Sequence, residues 1–134
     1  MRLEETVIDL ETWIETYRKA WEEADAQTVV GLFTEEATYR SDIFKEAHIG
    51  RDGVGAYWRE ATSTQRDVTV RMGRPIVDGP RVAVEFWTTM ENEGEMITLP
   101  GCLLLDFDAE GRCRSLHEHW EWTAGRHDPP PEWG

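Results

Sequence analysis

Apolar residues recur at alternating intervals of three and four along the first part of the chain, and many of the positions between them are acidic. The recurring positions are Val7, Leu10, Ile14, Tyr17, Trp21 and Ala24. This spacing places them on one face of an amphipathic helix. We therefore predict a first helix over residues 7–24, with Thr6 and Asp9 as a capping pair at its start.

Two shorter helical patterns follow. Asp25 is a residue type favoured at helix starts, and it precedes an apolar set formed by Val29, Val30, Leu32 and Phe33. A further set follows Gly50 and consists of Val54, Tyr57, Trp58 and Ala61. Between these two helices, the stretch ATYRSDIF at residues 37–44 predicts a short strand.

From Asp67 onward apolar and polar positions alternate, which is the pattern of strands. Four strands are predicted, with the sequences VTVRMGRPIV, RVAVEFWTTMEN, EMITLPGCLLLDF and SLHEHWEW. The turn sequences DGP, EG and DAEG separate them, so consecutive strands form an antiparallel meander. Three helices followed by this meander predict an α+β fold, with the helices packed on one face of the sheet.

Length and charge narrow the class of protein. A chain of 134 residues is long enough for one domain with a substantial core. We assign residues 1–123 to this domain and residues 124–134, with the proline-rich run GRHDPPPEWG, to an extended or disordered tail. The net charge of −13 disfavours nucleic acid and membranes as partners. The acidic N-terminus lacks the pattern of a signal peptide, so we expect a cytoplasmic protein.

The turns also predict which strand residues lie opposite each other. A two-residue turn at Glu93 and Gly94 places Phe86 opposite Gly101, and a turn at DAEG places Gly101 opposite Glu118. In this register Glu118, Trp120 and Trp122 lie on the apolar face that meets the helices, which we call the inner face. His117 and His119 lie on the opposite, outer face. A slip of one residue in either turn would exchange the two faces.

Glu118 is the foremost candidate for chemistry. It stands among apolar residues beside Gly101, whose missing side chain leaves empty volume over the sheet in this register. Loss of water favours the neutral carboxyl group and suits it for proton transfer. The alternatives are a glutamate at an open rim or one paired with an arginine.

The outer face carries Glu85, Cys102 and His117 side by side, which resembles a Cys-His-acid set. We do not expect a reactive thiol or a zinc site, because no pocket covers these residues and the two histidines with one cysteine supply too few ligands. We expect a homodimer interface there, formed by Trp87, Cys102, His117 and His119. Cys102 and Cys113 are too far apart along the sheet for a disulfide.

Three segments carry a resemblance to a known family: YRKAWEEADAQTVVGLFTEEATY, GRDGVGAYW and GRCRSLHEHWEW. With the hairpins between them, they resemble the SnoaL-like branch of the nuclear transport factor 2-like superfamily, from about Val7 to Trp122. The resemblance implies a cone-shaped single domain, with three N-terminal helices on the concave face of a curved antiparallel sheet that holds a pocket. Isomerases, cyclases, dehydratases, epoxide hydrolases and plain binding proteins all share this fold.

Two relatives suggest roles for single residues. Resemblance to ketosteroid isomerase assigns Tyr17 to the hydroxyl that donates to a substrate oxyanion, whereas the positions of its base and second donor hold Ser41 and Leu103. Asp42 follows Ser41 and becomes a base if a bulge turns it inward; otherwise it is a turn or salt-bridge residue. Resemblance to scytalone dehydratase assigns Tyr39 to holding a reactive water.

These arguments lead to two hypotheses. The first is an enzyme that performs acid–base chemistry without a cofactor or metal on a small, apolar, carbonyl-bearing molecule, by isomerisation, cyclisation or dehydration. Its base is Glu118 or Asp42, with Tyr17 and Tyr39 as hydroxyl donors and His48 as a proton relay or a plain surface residue. The expected substrate-binding residues are Trp21, Phe33, Ser41, Tyr57, Trp58, Phe86, Thr88, Gly101, Leu103 and Trp120. The second is a dimeric ligand carrier with Glu118 held in a salt bridge under a closed pocket.

Overall fold

The computed structural model describes residues 7–134 and contains three helices and eight strands within them. The helices are α1 (Leu10–Glu22), α2 (Ala26–Val30) and α3 (Gly50–Thr62). The strands are β1 (Phe33–Arg40), β2 (His48–Ile49), β3 (Gln65–Met72), β4 (Ile76–Asp78), β5 (Arg81–Asn92), β6 (Glu95–Phe107), β7 (Cys113–Trp120) and β8 (Thr123–Ala124). The α+β class is therefore confirmed.

The strands form one sheet in the order β2-β1-β7-β6-β5-β3, with β4 paired to β5 and β8 paired to β6. Most neighbours are antiparallel, but β1 runs parallel to β7, with Tyr39 beside Leu116 and Arg40 beside His117. The prediction of a purely antiparallel sheet is wrong, because the first strand pairs with β7, which lies near the other end of the chain. This pairing carries Tyr39 next to the strand that holds Glu118.

Helix α1 begins later than its apolar pattern suggested. Asp9 is itself the N-cap, since its carboxylate accepts a hydrogen bond of 2.8 Å from the Thr12 backbone amide. The predicted partner Thr6 lies outside the described residues, and Val7 and Ala24 lie outside the helix. Trp13, which the periodic set omitted, is fully buried and donates from its indole to the Leu32 carbonyl.

Two other boundaries differ from prediction. Helix α2 ends at Val30, so Leu32 and Phe33 do not belong to it, and β1 starts at Phe33 and stops at Arg40 before the expected end of the strand. The predicted strand over residues 68–77 is split into β3 and β4 around Pro75, which has no amide hydrogen to donate.

The hairpin between β5 and β6 confirms the first register. Glu93 and Gly94 both have positive φ angles, 52° and 86°, as a two-residue turn of the mirror-image type requires. Phe86 pairs with Gly101 as predicted.

The hairpin between β6 and β7 departs from the prediction by two residues. Asp108 pairs with Arg112 around a three-residue turn in which Gly111 has a φ of 81°, and Arg114 forms a bulge before Ser115 pairs with Asp106. Glu118 therefore lies opposite Leu103, and Trp120 lies opposite Gly101. The turn or the bulge alone would shift the pairing by one residue and exchange the two faces of β7. Together they shift it by two, so Glu118 stays on the inner face and His117 on the outer face.

The inner face packs on α1 and α3 through aromatic side chains. Trp13 stacks on Tyr17 with ring centroids 5.2 Å apart, and Trp21 meets both Trp58 and Phe86 edge-on. These contacts bury one face of α1 against the sheet.

The C-terminal segment lies along the outer face. The Trp87 indole donates to the His127 carbonyl at 2.9 Å, and its ring meets Trp133 edge-on at 6.0 Å. The guanidinium of Arg71 lies 5.4 Å from the centre of the Trp133 ring. These contacts place the tail over Trp87. No helix within residues 7–134 is long and apolar enough to cross a membrane.

Candidate active site

Glu118 projects from β7 into the interior between the sheet and the helices. Its side chain is buried, with a residue exposure of 8%, and no described lysine, arginine or histidine forms an ion pair with it. Burial raises the pKa of Glu118 from 4.5 to about 7, although a hydrogen bond from Tyr39 opposes the change. Near neutral pH the carboxyl group therefore exists in both protonation states and is able to accept or donate a proton.

Two tyrosines support this carboxyl group from the core. The Tyr39 hydroxyl donates a short hydrogen bond to Glu118 Oε2, and the Tyr17 hydroxyl lies 2.9 Å from the Tyr39 hydroxyl. Both tyrosines have no solvent exposure. Burial and the nearby Glu118 carboxylate raise the pKa of each phenol well above its usual value, so both remain protonated. They form a relay behind Glu118.

A cavity of about 470 Å³ opens on the other side of Glu118. Its described lining comes from the loop after β1, from α3, from strands β3, β5, β6 and β7, from the turn between β5 and β6, and from Trp122 after β7. These lining residues are Ser41, Asp42, Lys45, Tyr57, Gln65, Met90, Asn92, Glu93, Glu95, Ile97, Leu99, Glu118, Trp120 and Trp122. Trp120 and Trp122 are 42% and 53% exposed, so the cavity meets solvent at their indoles.

A second polar group lies beside Glu118 and borders the cavity. Tyr57 of α3 and Ser41 both line the cavity, and the Ser41 hydroxyl lies 3.5 Å from Nε2 of His48. The His48 and Tyr57 rings lie against each other, with centroids 4.6 Å apart. Burial, followed by the charge of Glu118, raises the pKa of Tyr57. Tyr57 is thus the tyrosine placed at the cavity surface, whereas Tyr17 and Tyr39 lie behind the carboxyl group.

Asp42 lines the cavity but takes part in a turn. Its carboxylate accepts a hydrogen bond of 2.9 Å from the Phe44 amide, so the side chain closes the loop after β1. The Trp120 indole donates to the Ser41 carbonyl at 2.6 Å and ties β7 to the same loop. This loop and β7 together build the wall next to Glu118.

Most of the expected substrate-binding residues lie in the core and not at the cavity surface. Ser41, Tyr57 and Trp120 line the cavity, but seven other residues do not: Trp21, Phe33, Trp58, Phe86, Thr88, Gly101 and Leu103. The space over Gly101 is filled, since a Cβ atom there would lie 2.4 Å from Phe86 and 2.6 Å from the His119 carbonyl oxygen. The expectation of empty volume beside Gly101 is therefore wrong.

Several lining residues were missed. Met90, Ile97 and Leu99 supply apolar wall, and Gln65 supplies an amide that accepts a hydrogen bond from the Trp21 indole. By alternation along β5 and β6, Met90, Ile97 and Leu99 lie on the same face as Phe86 and Gly101. The alternation does not show how far along the strands the helices cover that face.

On the outer face the shifted register brings His119 opposite Cys102, in place of His117. His117 instead lies opposite Leu104. Burial and the charge of Glu85 raise the pKa of the Cys102 thiol, which makes it a poor nucleophile. Both cysteines are free.

Comparison with known proteins agrees with this architecture. A family model described as a SnoaL-like domain matches residues 14–116. No curated protein matches the chain. Among solved structures, the epoxide hydrolase/cyclase-like enzyme SalBIII, which has a role in pyran ring formation in the polyether salinomycin, superposes with a TM-score of 0.75 at 22% identity and covers 86% of this chain and 95% of its own.

Two further structures have the same fold. A putative SnoaL-like polyketide cyclase from Shewanella denitrificans superposes with a TM-score of 0.70 at 17% identity, with 83% of this chain and 89% of the other covered. A ketosteroid isomerase-like protein from Catenulispora acidiphila, in complex with trimethylamine, gives 0.72 at 17% identity, with 80% and 83% covered. The fold, the helix-covered inner face and the family match agree, and the chain belongs to the SnoaL-like domain family.

Proposed function

We propose that the protein is an enzyme that moves a proton on a small carbonyl-bearing molecule, with Glu118 as the group that accepts and returns it. One observation carries the proposal: the Glu118 carboxyl group is buried, has a pKa raised to about 7 and lines an open cavity. A general base works best when its pKa is close to the working pH. Isomerisation, cyclisation and dehydration each begin with such a transfer.

The neighbouring hydroxyl groups have different tasks in this proposal. Tyr57 borders the cavity and is the hydroxyl available to an enolate-like oxygen of the substrate. Tyr39 and Tyr17 are positioning residues, because their hydrogen bonds hold the Glu118 carboxyl group from behind. His48 contacts Tyr57 and Ser41 and is suited to carry a proton between this group and solvent.

The alternative function is a ligand carrier without catalysis. That hypothesis expects Glu118 in a salt bridge and a closed, dry pocket. Two features favour the enzyme instead: no described cationic residue pairs with Glu118, and the cavity is open at Trp120 and Trp122.

Proton abstraction next to a carbonyl group is measured directly by solvent exchange. Aryl ketones with an enolisable CH₂ group are incubated with the protein in D₂O, and deuterium incorporation is followed by NMR. We expect saturable exchange whose rate rises as Glu118 ionises around pH 7. Glu118→Gln should abolish it while retaining binding of the ketones.

Glu121→Gln is the matched control, since Glu121 is exposed and does not line the cavity. Its exchange rates should equal those of the unaltered protein. Exchange that persists in Glu118→Gln would reject Glu118 as the base, and binding without exchange of any ketone would favour the carrier.

A further inference from the structure

The rim of the cavity has an unusual charge for a site expected to take an apolar molecule. Asp42, Glu93 and Glu95 form this rim, and the buried Glu118 lines the cavity within it. Among the described lining residues Lys45 is the basic one. The whole chain, these residues included, has a net charge of −13. A substrate carrying phosphate or carboxylate would meet an opposing field at this mouth.

The deeper wall is apolar and aromatic. Met90, Ile97 and Leu99 form one side, and the half-exposed indoles of Trp120 and Trp122 stand at the opening. Indole faces attract organic cations, and they do so most strongly where water is partly excluded. An apolar floor with an acidic, indole-bearing mouth therefore matches a molecule that is apolar at one end and cationic at the other.

Glu118 provides an independent observation, because it is not part of the exposed rim. It is more than nine-tenths buried, lines the cavity and has no cationic partner among the described residues. Buried carboxylates are normally paired. The titratable groups that face it are tyrosines from three elements, Tyr17 of α1, Tyr39 of β1 and Tyr57 of α3, and none of them supplies a positive charge.

We propose that the substrate of this cavity carries a positively charged amine or quaternary ammonium group, held between the indoles of Trp120 and Trp122 and the carboxylates of Asp42, Glu93, Glu95 and Glu118. This inference rests on the cavity in which proton transfer is proposed, and it names the charge of the molecule that enters. A bound cation also stabilises the ionised form of Glu118 and so produces the base in the presence of substrate.

Three aryl ketones of similar size test the proposal by tryptophan fluorescence and calorimetry. They are phenacyltrimethylammonium, the neutral ketone with a tert-butyl group in its place, and an anionic ketone ending in carboxylate. We expect the ammonium ketone to bind about tenfold more tightly than the neutral one at low ionic strength, with the anion weakest. The preference should shrink as salt is added.

Paired variants separate rim charge from total charge. Glu93→Gln with Glu95→Gln should reduce the preference for the ammonium ketone, whereas Glu85→Gln with Glu121→Gln, which removes the same charge outside the cavity lining, should leave it unchanged. Affinity for the ammonium ketone should rise with pH through about 7, and Glu118→Gln should lose this dependence.

Equal binding of the ammonium and neutral ketones, or tightest binding of the anion, would overturn the inference. The outcome is separable from the proposed function. A clear preference for the ammonium ketone without deuterium exchange supports the cation site and rejects proton transfer. Deuterium exchange without a preference for the ammonium ketone supports proton transfer and rejects the cation site.

Discussion

At the scale of single residues, the Glu118 carboxyl group is the group whose properties depend most on its surroundings. Its hydrogen-bond partner Tyr39 lies 79 residues away along the chain, and Tyr17 is reached through Tyr39. Burial dominates its pKa, so the folded protein keeps a proton that the unfolded chain releases at the same pH.

This raised pKa predicts how stability depends on pH. Below about pH 4.5 Glu118 is protonated in both the folded and the unfolded protein, so its burial carries no ionisation penalty. The free energy of unfolding then declines as the pH rises to about 7, and this contribution is fully lost above that pH. The full difference corresponds to roughly 3 kcal/mol. Glu118→Gln should therefore gain stability relative to the unaltered protein as pH rises through this range, measured by denaturant unfolding at several pH values. A variant that is less stable at neutral pH would show that the carboxylate is paired in the folded state.

Tyr39→Phe should raise the pKa of Glu118 further, because it removes the hydrogen bond that opposes the effect of burial. It should also cost about 1–3 kcal/mol, since it removes the partner of the buried Tyr17 hydroxyl. Tyr17→Phe is the matched control and leaves the hydrogen bond to Glu118 in place. Titration of the Glu118 carboxyl group by NMR measures the change in its pKa. Equal pKa values of Glu118 in Tyr39→Phe and Tyr17→Phe would contradict the relay.

At the scale of elements, the hairpin between β6 and β7 decides what faces the cavity. The turn has three residues where four were predicted, which shifts the pairing of the two strands by one residue, and the bulge at Arg114 shifts it by one more. The total shift of two residues leaves the faces unchanged. The assignment of Glu118 to the inner face was right although its predicted opposite residue was wrong. An even shift preserves the alternation of a strand, whereas an odd one reverses it.

Deletion of Arg114 tests this account. Without the bulge, β7 must either shift by one residue, which turns the buried Leu116 and Glu118 outward, or lose pairing with β6. We expect a loss of several kcal/mol, on the order of burying two large side chains. Arg114→Ala keeps the bulge and removes only an exposed ion pair with Asp106, so it should cost less than about 1 kcal/mol. Similar melting temperatures for the deletion and the substitution would reject the argument.

Gly101 provides a second test on the same strands. Gly101→Ala would force a Cβ atom against Phe86 and the His119 carbonyl, and the backbone oxygen has little room to move. We expect destabilisation of about 1–3 kcal/mol. Gly31→Ala, whose Cβ would make an ordinary contact of 3.5 Å, is the control and should be close to neutral. A stable Gly101→Ala protein would mean that β6 and β7 are paired differently.

At the scale of the whole molecule, the tail and the outer face act on each other. The tail covers Trp87, while Leu104 on the same face remains 37% exposed and His117 and His119 lie near it along β7. The predicted homodimer through Trp87, Cys102, His117 and His119 stays a prediction. In such a dimer the tail would compete with the partner subunit for Trp87.

Deletion of residues 126–134 should therefore strengthen self-association, because it uncovers Trp87. Sedimentation velocity at micromolar concentrations of the full and shortened chains measures the change, with Leu104→Glu in both as the variant expected to weaken the dimer. Two monomeric chains, or association that Leu104→Glu leaves unaltered, would contradict an interface on this face.

The sequence by itself determined the features that depend on neighbouring residues. The apolar spacing around Ile14, Tyr17 and Trp21 predicted α1, and the turn at Glu93 and Gly94 predicted the pairing of β5 with β6, because side-chain burial and turn geometry act over a few residues. Only the tertiary structure decided that β1 pairs with β7, that Tyr39 reaches Glu118 and that the tail covers Trp87. These contacts join distant parts of the chain, and their geometry depends on how the whole sheet and its helices pack. The pKa of Glu118 belongs with them, since it is set by the water that packing removes.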